Sequence, residues 1–63
     1  MCESNVFVVN NGKETLIMEN VASIKPMGEN QFVLKGLLGD QKELQGRIVE
    51  INLMAHKILF SGH

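Results

Sequence analysis

From Gln41 to Leu53 the chain runs thirteen residues, QKELQGRIVEINL, with Val49, Ile51 and Leu53 set at period two on one face and Ile48 on the other. As one straight strand this run would span about 43 Å, at roughly 3.3 Å per residue. A folded chain of 63 residues has a radius of gyration of about 11 Å, so a straight strand would project far beyond the body. The run must bend. Gly46 marks the place, because glycine inside a strand often sits at a bulge or a barrel corner.

The remaining segments read as short strands separated by turns. Val6, Phe7, Val8 and Val9 are β-branched and aromatic residues that suit a pleated, largely buried strand over Ser4 to Val9. Asn10-Asn11-Gly12-Lys13 follows, and Asn-Gly is a strong hairpin signal because a type I′ turn needs positive φ at both central residues. The chain should return antiparallel through Glu14 to Met18. Glu19 and Asn20 interrupt the pattern, and Val21 and Ile24 lie three apart, which fits one helical turn or an irregular strand equally. Pro26 to Asn30 forms a turn cluster, Gln31 to Leu37 a third strand with Phe32 and Leu34 pointing one way, and Leu38-Gly39-Asp40 another break. Met54 to Lys57 turns tightly into a last strand, Ile58 to Phe60.

This pattern predicts an all-β fold, one domain over residues 1–63, built as a small five-stranded antiparallel barrel of SH3-like or Sm-like type, with an OB-like barrel as the alternative. A chain this short hides only about 60% of the surface that its unfolded form exposes, so its own core is marginal. Its single cysteine cannot close an intrachain disulfide, which leaves oligomerisation as the expected supplement. Apolar residues on both faces of the strand around Ile48, Val49 and Ile51 point the same way, and a homodimer is expected.

Several function classes are disfavoured by composition. With 44% hydrophobic and 21% charged residues the chain is globular rather than disordered. No apolar run reaches the roughly 18 residues of a membrane span, and the first segment carries no basic leader, so neither membrane insertion nor secretion is expected. An unpaired cysteine suits a reducing compartment, which places the protein in the cytoplasm. Six basic residues against seven acidic ones give a net charge of −1, unlike the basic footprint of most nucleic-acid binders, and Phe7, Phe32 and Phe60 all read as core. RNA binding by a small barrel, or a pure protein-interaction module, stands as the alternative function. No phosphate loop or nucleophile with an identifiable base is present, so the chain is not expected to be an enzyme.

The chemistry concentrates at the amino terminus. Cys2 is the only cysteine, and if Met1 is removed its thiolate and amine can hold one metal ion in a five-membered ring. With Met1 retained, the Met1 nitrogen, the Cys2 amide and the Cys2 sulfur still form fused rings. One chain supplies too few donors for a closed site, whereas two chains about a twofold axis supply two sulfurs and two nitrogens. Glu3, His56 and His63 are further donors in principle, but without paired spacing each reads first as a solvated side chain. Met18, Met27 and Met54 read as gap-filling apolar residues, and Glu43 and Glu50 as strand residues facing water.

The opening Met1-Cys2-Glu3-Ser4-Asn5-Val6, the Asn10-Asn11-Gly12 hairpin, the Gly46 bend before Ile-Val-Glu-Ile and the ending His56-Lys57-Ile58 resemble the CooT family of small nickel-binding proteins over nearly the whole chain. A more distant resemblance is to HypC-type hydrogenase maturation chaperones, which also begin Met-Cys but usually continue with a proline that is missing here. The CooT resemblance implies a homodimer that binds Ni(II) through Cys2 and assists nickel insertion into a client metalloenzyme, carbon monoxide dehydrogenase.

Overall fold

The computed structural model describes residues 4–62, so Met1, Cys2, Glu3 and His63 lie outside the described residues. β1 (Ser4–Asn10) and β2 (Lys13–Pro26) form a hairpin through Asn11 and Gly12, whose φ angles of 53° and 77° are those of the anticipated type I′ turn. β3 (Gln31–Gly36), β4 (Gln41–Gln45), β5 (Arg47–Asn52) and β6 (Lys57–Ser61) complete the described strands. They make one sheet in the order β4-β3-β2-β1-β6-β5, with Cα extents of 30 × 26 × 15 Å and a radius of gyration of 10.8 Å.

The all-β expectation holds, while the five-stranded antiparallel barrel is corrected to an open sheet of six strands. Gly46 is the reason. Its φ is 149°, its N–H donates to Asn30 O at 2.9 Å, and a Cβ built on it would overlap the carbonyl oxygen of Ser61. A corner this sharp ends one strand and starts another, and β4 and β5 leave it for opposite edges of the sheet instead of running on as one bent strand. Nor is the sheet purely antiparallel. β6 lies parallel to β1, with Asn5 opposite Lys57 and Val8 opposite Phe60.

Bulges account for the remaining departures from period two. The Glu19-Asn20 interruption lies inside β2, where the register with β1 shifts between Ser4↔Val21 and Val6↔Met18. Asn20 adopts φ 54°, which an asparagine tolerates. A second shift between Val21 and Ser23 leaves Ala22 as the extra residue, so Val21, opposite Gly36, and Ile24, opposite Leu34, share a face although they lie three apart. The segment that fitted a helical turn is therefore bulged strand. A third shift, between Ile48 and Glu50, overturns the expected face of β5: Ile48 opposes Phe60 and Ile51 opposes Ile58, so these two share the inner face and Val49 is the bulged residue.

The core lies on that inner face and comprises Val6, Val8, Met18, Val21, Leu34, Ile58 and Phe60. Phe32 packs edge-on against Phe60, with centroids 5.1 Å apart and an interplanar angle of 69°. Phe7, expected in the core, points to the opposite face between Val6 and Val8, where it is half-buried and carries the Lys57 ammonium 5.1 Å above its ring. Lys57 also pairs with Glu14 at 2.8 Å. No polar or charged residue is buried among the described residues.

Candidate metal centre

Strand register brings distant segments to one end of the sheet. Ser4 opposes Val21, Val21 opposes Gly36, and Asn5 opposes Lys57, which in turn opposes Asn52. The described chain thus begins in the middle of a lip, flanked on one side by the β3–β4 turn and on the other by the β5–β6 turn. Backbone and side-chain bonds fix the junctions: Asn5 N–H donates to His56 O at 2.9 Å, Asn20 N–H to Asn5 Oδ1 at 3.2 Å, and Leu37 N–H to Asn20 O at 3.1 Å. Asn20 thus bonds on both sides, through its N–H and its carbonyl, at a φ of 54°.

Each flanking turn closes on itself and turns its apolar side chains outward. In the first, Gly36 N–H donates to Asp40 O at 2.8 Å and Gly39 N–H to Gly36 O at 3.1 Å, while the Asp40 carboxylate occupies the space a Cβ on Gly36 would need. Leu37 and Leu38 are left 54% and 96% exposed. In the second, Ala55 N–H donates to the Asn52 side-chain oxygen at 3.0 Å and His56 N–H to Leu53 O at 3.4 Å, with His56 at φ 55°. Leu53 and Met54 are left 70% and 93% exposed.

Cys2, Glu3 and His63, the first the proposed ligand from sequence, lie outside the described residues. Ser4, the first described residue, stands at the middle of the lip. His56 is exposed in the β5–β6 turn and its carbonyl is the acceptor for β1, which makes it the described histidine beside the start of the chain. Met18 is a core residue as expected, whereas Met27 and Met54 are 58% and 93% exposed. Glu43 and Glu50 are exposed, as the sequence indicated. No group of three or more His, Cys, Asp or Glu with metal-holding geometry occurs among the described residues. No helix among them is long and apolar enough to cross a membrane.

The apolar turn residues were missed at the sequence level, although one signal was available. Turns favour Gly, Asn, Asp, Pro and Ser, so adjacent large apolar residues at Leu37-Leu38 and Leu53-Met54 are out of place in them. Beside the lip, a groove of about 530 Å³ runs between β2 and the β3–β4 turn. Met18, Leu37 and Leu38 supply its apolar wall and Glu19, Asp40 and Lys42 its charged rim, with Lys42 Nζ donating to Ile17 O at 3.4 Å.

Comparison with known proteins closes on one family. The sequence model of the family described as CO dehydrogenase accessory protein CooT matches residues 1–61. The crystal structure of a protein assigned as CooT from Carboxydothermus hydrogenoformans superposes with a TM-score of 0.90 at 32% identity, covering 98% of each chain. A protein of Archaeoglobus fulgidus with no assigned function is 42% identical over 45 residues, 71% of this chain and 98% of that one.

Proposed function

The chain belongs to the CooT family of CO dehydrogenase accessory proteins, a family of helpers and not of catalysts, and from that membership we propose that it carries Ni(II) as a homodimer for maturation of a carbon monoxide dehydrogenase. The observation that carries the reading is the family match over residues 1–61, which takes in Cys2. The fold supports it. The described chain starts at the centre of an exposed, apolar-flanked end of the sheet, where a second copy could approach and where a ligand held near Ser4 would stay open to a client enzyme.

The donor chemistry fits the cargo. Thiolate and amine are suited to Ni(II), and two protomers sharing one ion supply two sulfurs together with amine or backbone nitrogens, a set that can be planar or tetrahedral. Cu(II) competes well and Zn(II) to some extent, because so simple a site follows the Irving-Williams order and leaves selectivity to metal supply. A carrier gains from this openness, since an ion enclosed by one chain is slow to leave. The thiol must stay reduced, which assigns the protein to the cytoplasm.

Titration of untagged protein with nickel tests the reading, comparing wild type with Cys2→Ser and following the thiolate-to-nickel charge-transfer band. The expected result is one ion per two chains in the wild type and loss of the band in the variant. Equal affinity in both proteins removes the proposal, and one ion per chain removes the shared site.

A further inference from the structure

An open sheet leaves two edges, and here they differ in character. β4 shows Gln41, Lys42, Glu43 and Gln45 to solvent, the polar and charged kind of edge that resists pairing with another chain. β5 is the other edge and carries Ile48, Val49 and Ile51 at 42%, 56% and 54% exposure. Ile48 and Ile51 stand opposite the buried Phe60 and Ile58, so the apolar inner layer of the sheet runs out at an uncovered strand. A bulge at an edge ordinarily guards it, but this one presents a valine rather than a charge. We infer that the β5 edge is the docking site for an extended segment of the client enzyme, which adds to the sheet beside β5. The inference rests on the accessory role proposed above and names the surface that this role requires.

The backbone decides the shape of the occupant. β5 pairs with β6 alone, so the N–H and C=O groups along its outer side have no backbone partner among the described residues, and only a chain extended alongside can engage several of them at once. Water solvates these groups in the free protein. The new ladder therefore sets orientation, while burial of Ile48, Val49 and Ile51 drives the association. Their exposed surface is on the order of 300 Å² along one strand, the size of the largest apolar patch on a typical monomer. Side chains then decide the sequence that fits. Arg47, opposite Ser61, and Glu50, opposite Leu59, lie on the outer face. The segment accordingly alternates, with apolar residues inward beside Ile48 and Ile51, and outward a carboxylate near Arg47 and an amine near Glu50. Position favours the client over a second copy. β5 runs straight into the exposed Leu53-Met54 turn, so a segment laid along β5 leads to the end of the sheet where the described chain begins and leaves that end itself open.

The test measures binding to nickel-free carbon monoxide dehydrogenase by surface plasmon resonance for the wild type, Val49→Lys, Ile51→Lys and Gln41→Lys. Gln41 is exposed on the β4 edge, so its variant adds the same charge to the opposite side of the sheet. Far-UV circular dichroism verifies the fold, and Val49→Lys carries the test if lysine at the inner-face position of Ile51 is not tolerated. Both β5 variants are expected to bind at least about tenfold more weakly, Gln41→Lys like the wild type, and all three should take up nickel as the wild type does. Hydrogen exchange should slow at β5 amides in the complex and not at β4 amides. Client binding that survives both β5 substitutions, or protection at β4 instead of β5, overturns the inference. β5 variants that change self-association and leave client binding intact put a second copy on this edge and overturn it as well. A wild type that does not bind the nickel-free enzyme also overturns it, while the nickel titration of the isolated protein separately decides the reading on which it builds.

Discussion

Gly46→Ala is the sharpest test of how this sheet stays open. The substitution places a methyl group at φ 149°, a backbone region that costs a non-glycine residue about 1–3 kcal/mol. The same methyl overlaps the Ser61 carbonyl oxygen and comes within 3.2 Å of its carbon, so β6 must shift at its last residue. Overpacking against backbone adds about 1–3 kcal/mol, for a total of about 2–6 kcal/mol. A chain of 63 residues has roughly 3–9 kcal/mol to lose. Gly12→Ala is the control: it too has positive φ, at 77°, but no atom lies within 4 Å of its added Cβ, so it should lose only about 1 kcal/mol. Urea unfolding followed by circular dichroism, at one fixed protein concentration so that any self-association is held constant, measures both. With a slope of about 1 kcal/mol per molar urea, the Gly46 variant should unfold at least about 2 M earlier than the wild type. A Gly46→Ala loss no greater than that of Gly12→Ala would refute the corner argument.

Three further measurements follow from the same structure. Leu34→Ala empties a fully buried position and should cost about 2–5 kcal/mol in urea unfolding, whereas Leu38→Ala, at 96% exposure, should leave the stability of the individual chain within about 0.5 kcal/mol. Asn20→Gly should be nearly neutral and Asn20→Val should lose about 1–2 kcal/mol, because only the valine resists φ 54°; equal losses would mean that the bulge does not depend on this residue. Nickel affinity, measured by isothermal titration from pH 6 to pH 9, should rise steeply up to about pH 8.5 and then level, since the ion must displace protons from a thiol of reference pKa about 8.5 and an amine of about 7.8. The sign is fixed: protonated ligands compete with the metal, so affinity falls as pH falls. A curve that levels near pH 7 would instead point to imidazole as the ligand.

Much of this fold is legible from residue type alone, and the failures share one cause. The Asn11-Gly12 hairpin, the Phe32 and Leu34 face and the bend at Gly46 each follow from a local preference that nothing distant overrides. Where an extra residue enters a strand, the period-two rule fails. Ala22 makes Val21 and Ile24 look helical, and Val49 moves Ile51 onto the face of Ile48. A spacing of three apolar positions in a chain of short strands is thus as good a mark of a bulge as of a helix. Barrel closure was beyond the pattern for a different reason. Whether the run from Gln41 to Asn52 bends within one strand or sends its halves to opposite edges depends on Asn30 and Ser61 meeting Gly46 from both sides, and neither contact leaves a trace near Gly46 in the sequence.

The end of the sheet where the described chain begins shows the same division between local and assembled information. Cys2 could be singled out because its chemistry is carried by one residue and its position. The lip at which the described chain begins could not, since Leu37, Leu53 and Ser4 come to one end of the sheet only through the register of five strands, including the parallel pairing of β1 with β6. That pairing matters most. A β6 that ran antiparallel to β1 would carry the β5–β6 turn to the far end of the sheet, away from Ser4 and from the β3–β4 turn. The parallel strand therefore sets two turns with exposed apolar side chains, Leu37-Leu38 and Leu53-Met54, on either side of the strand with which the described chain begins.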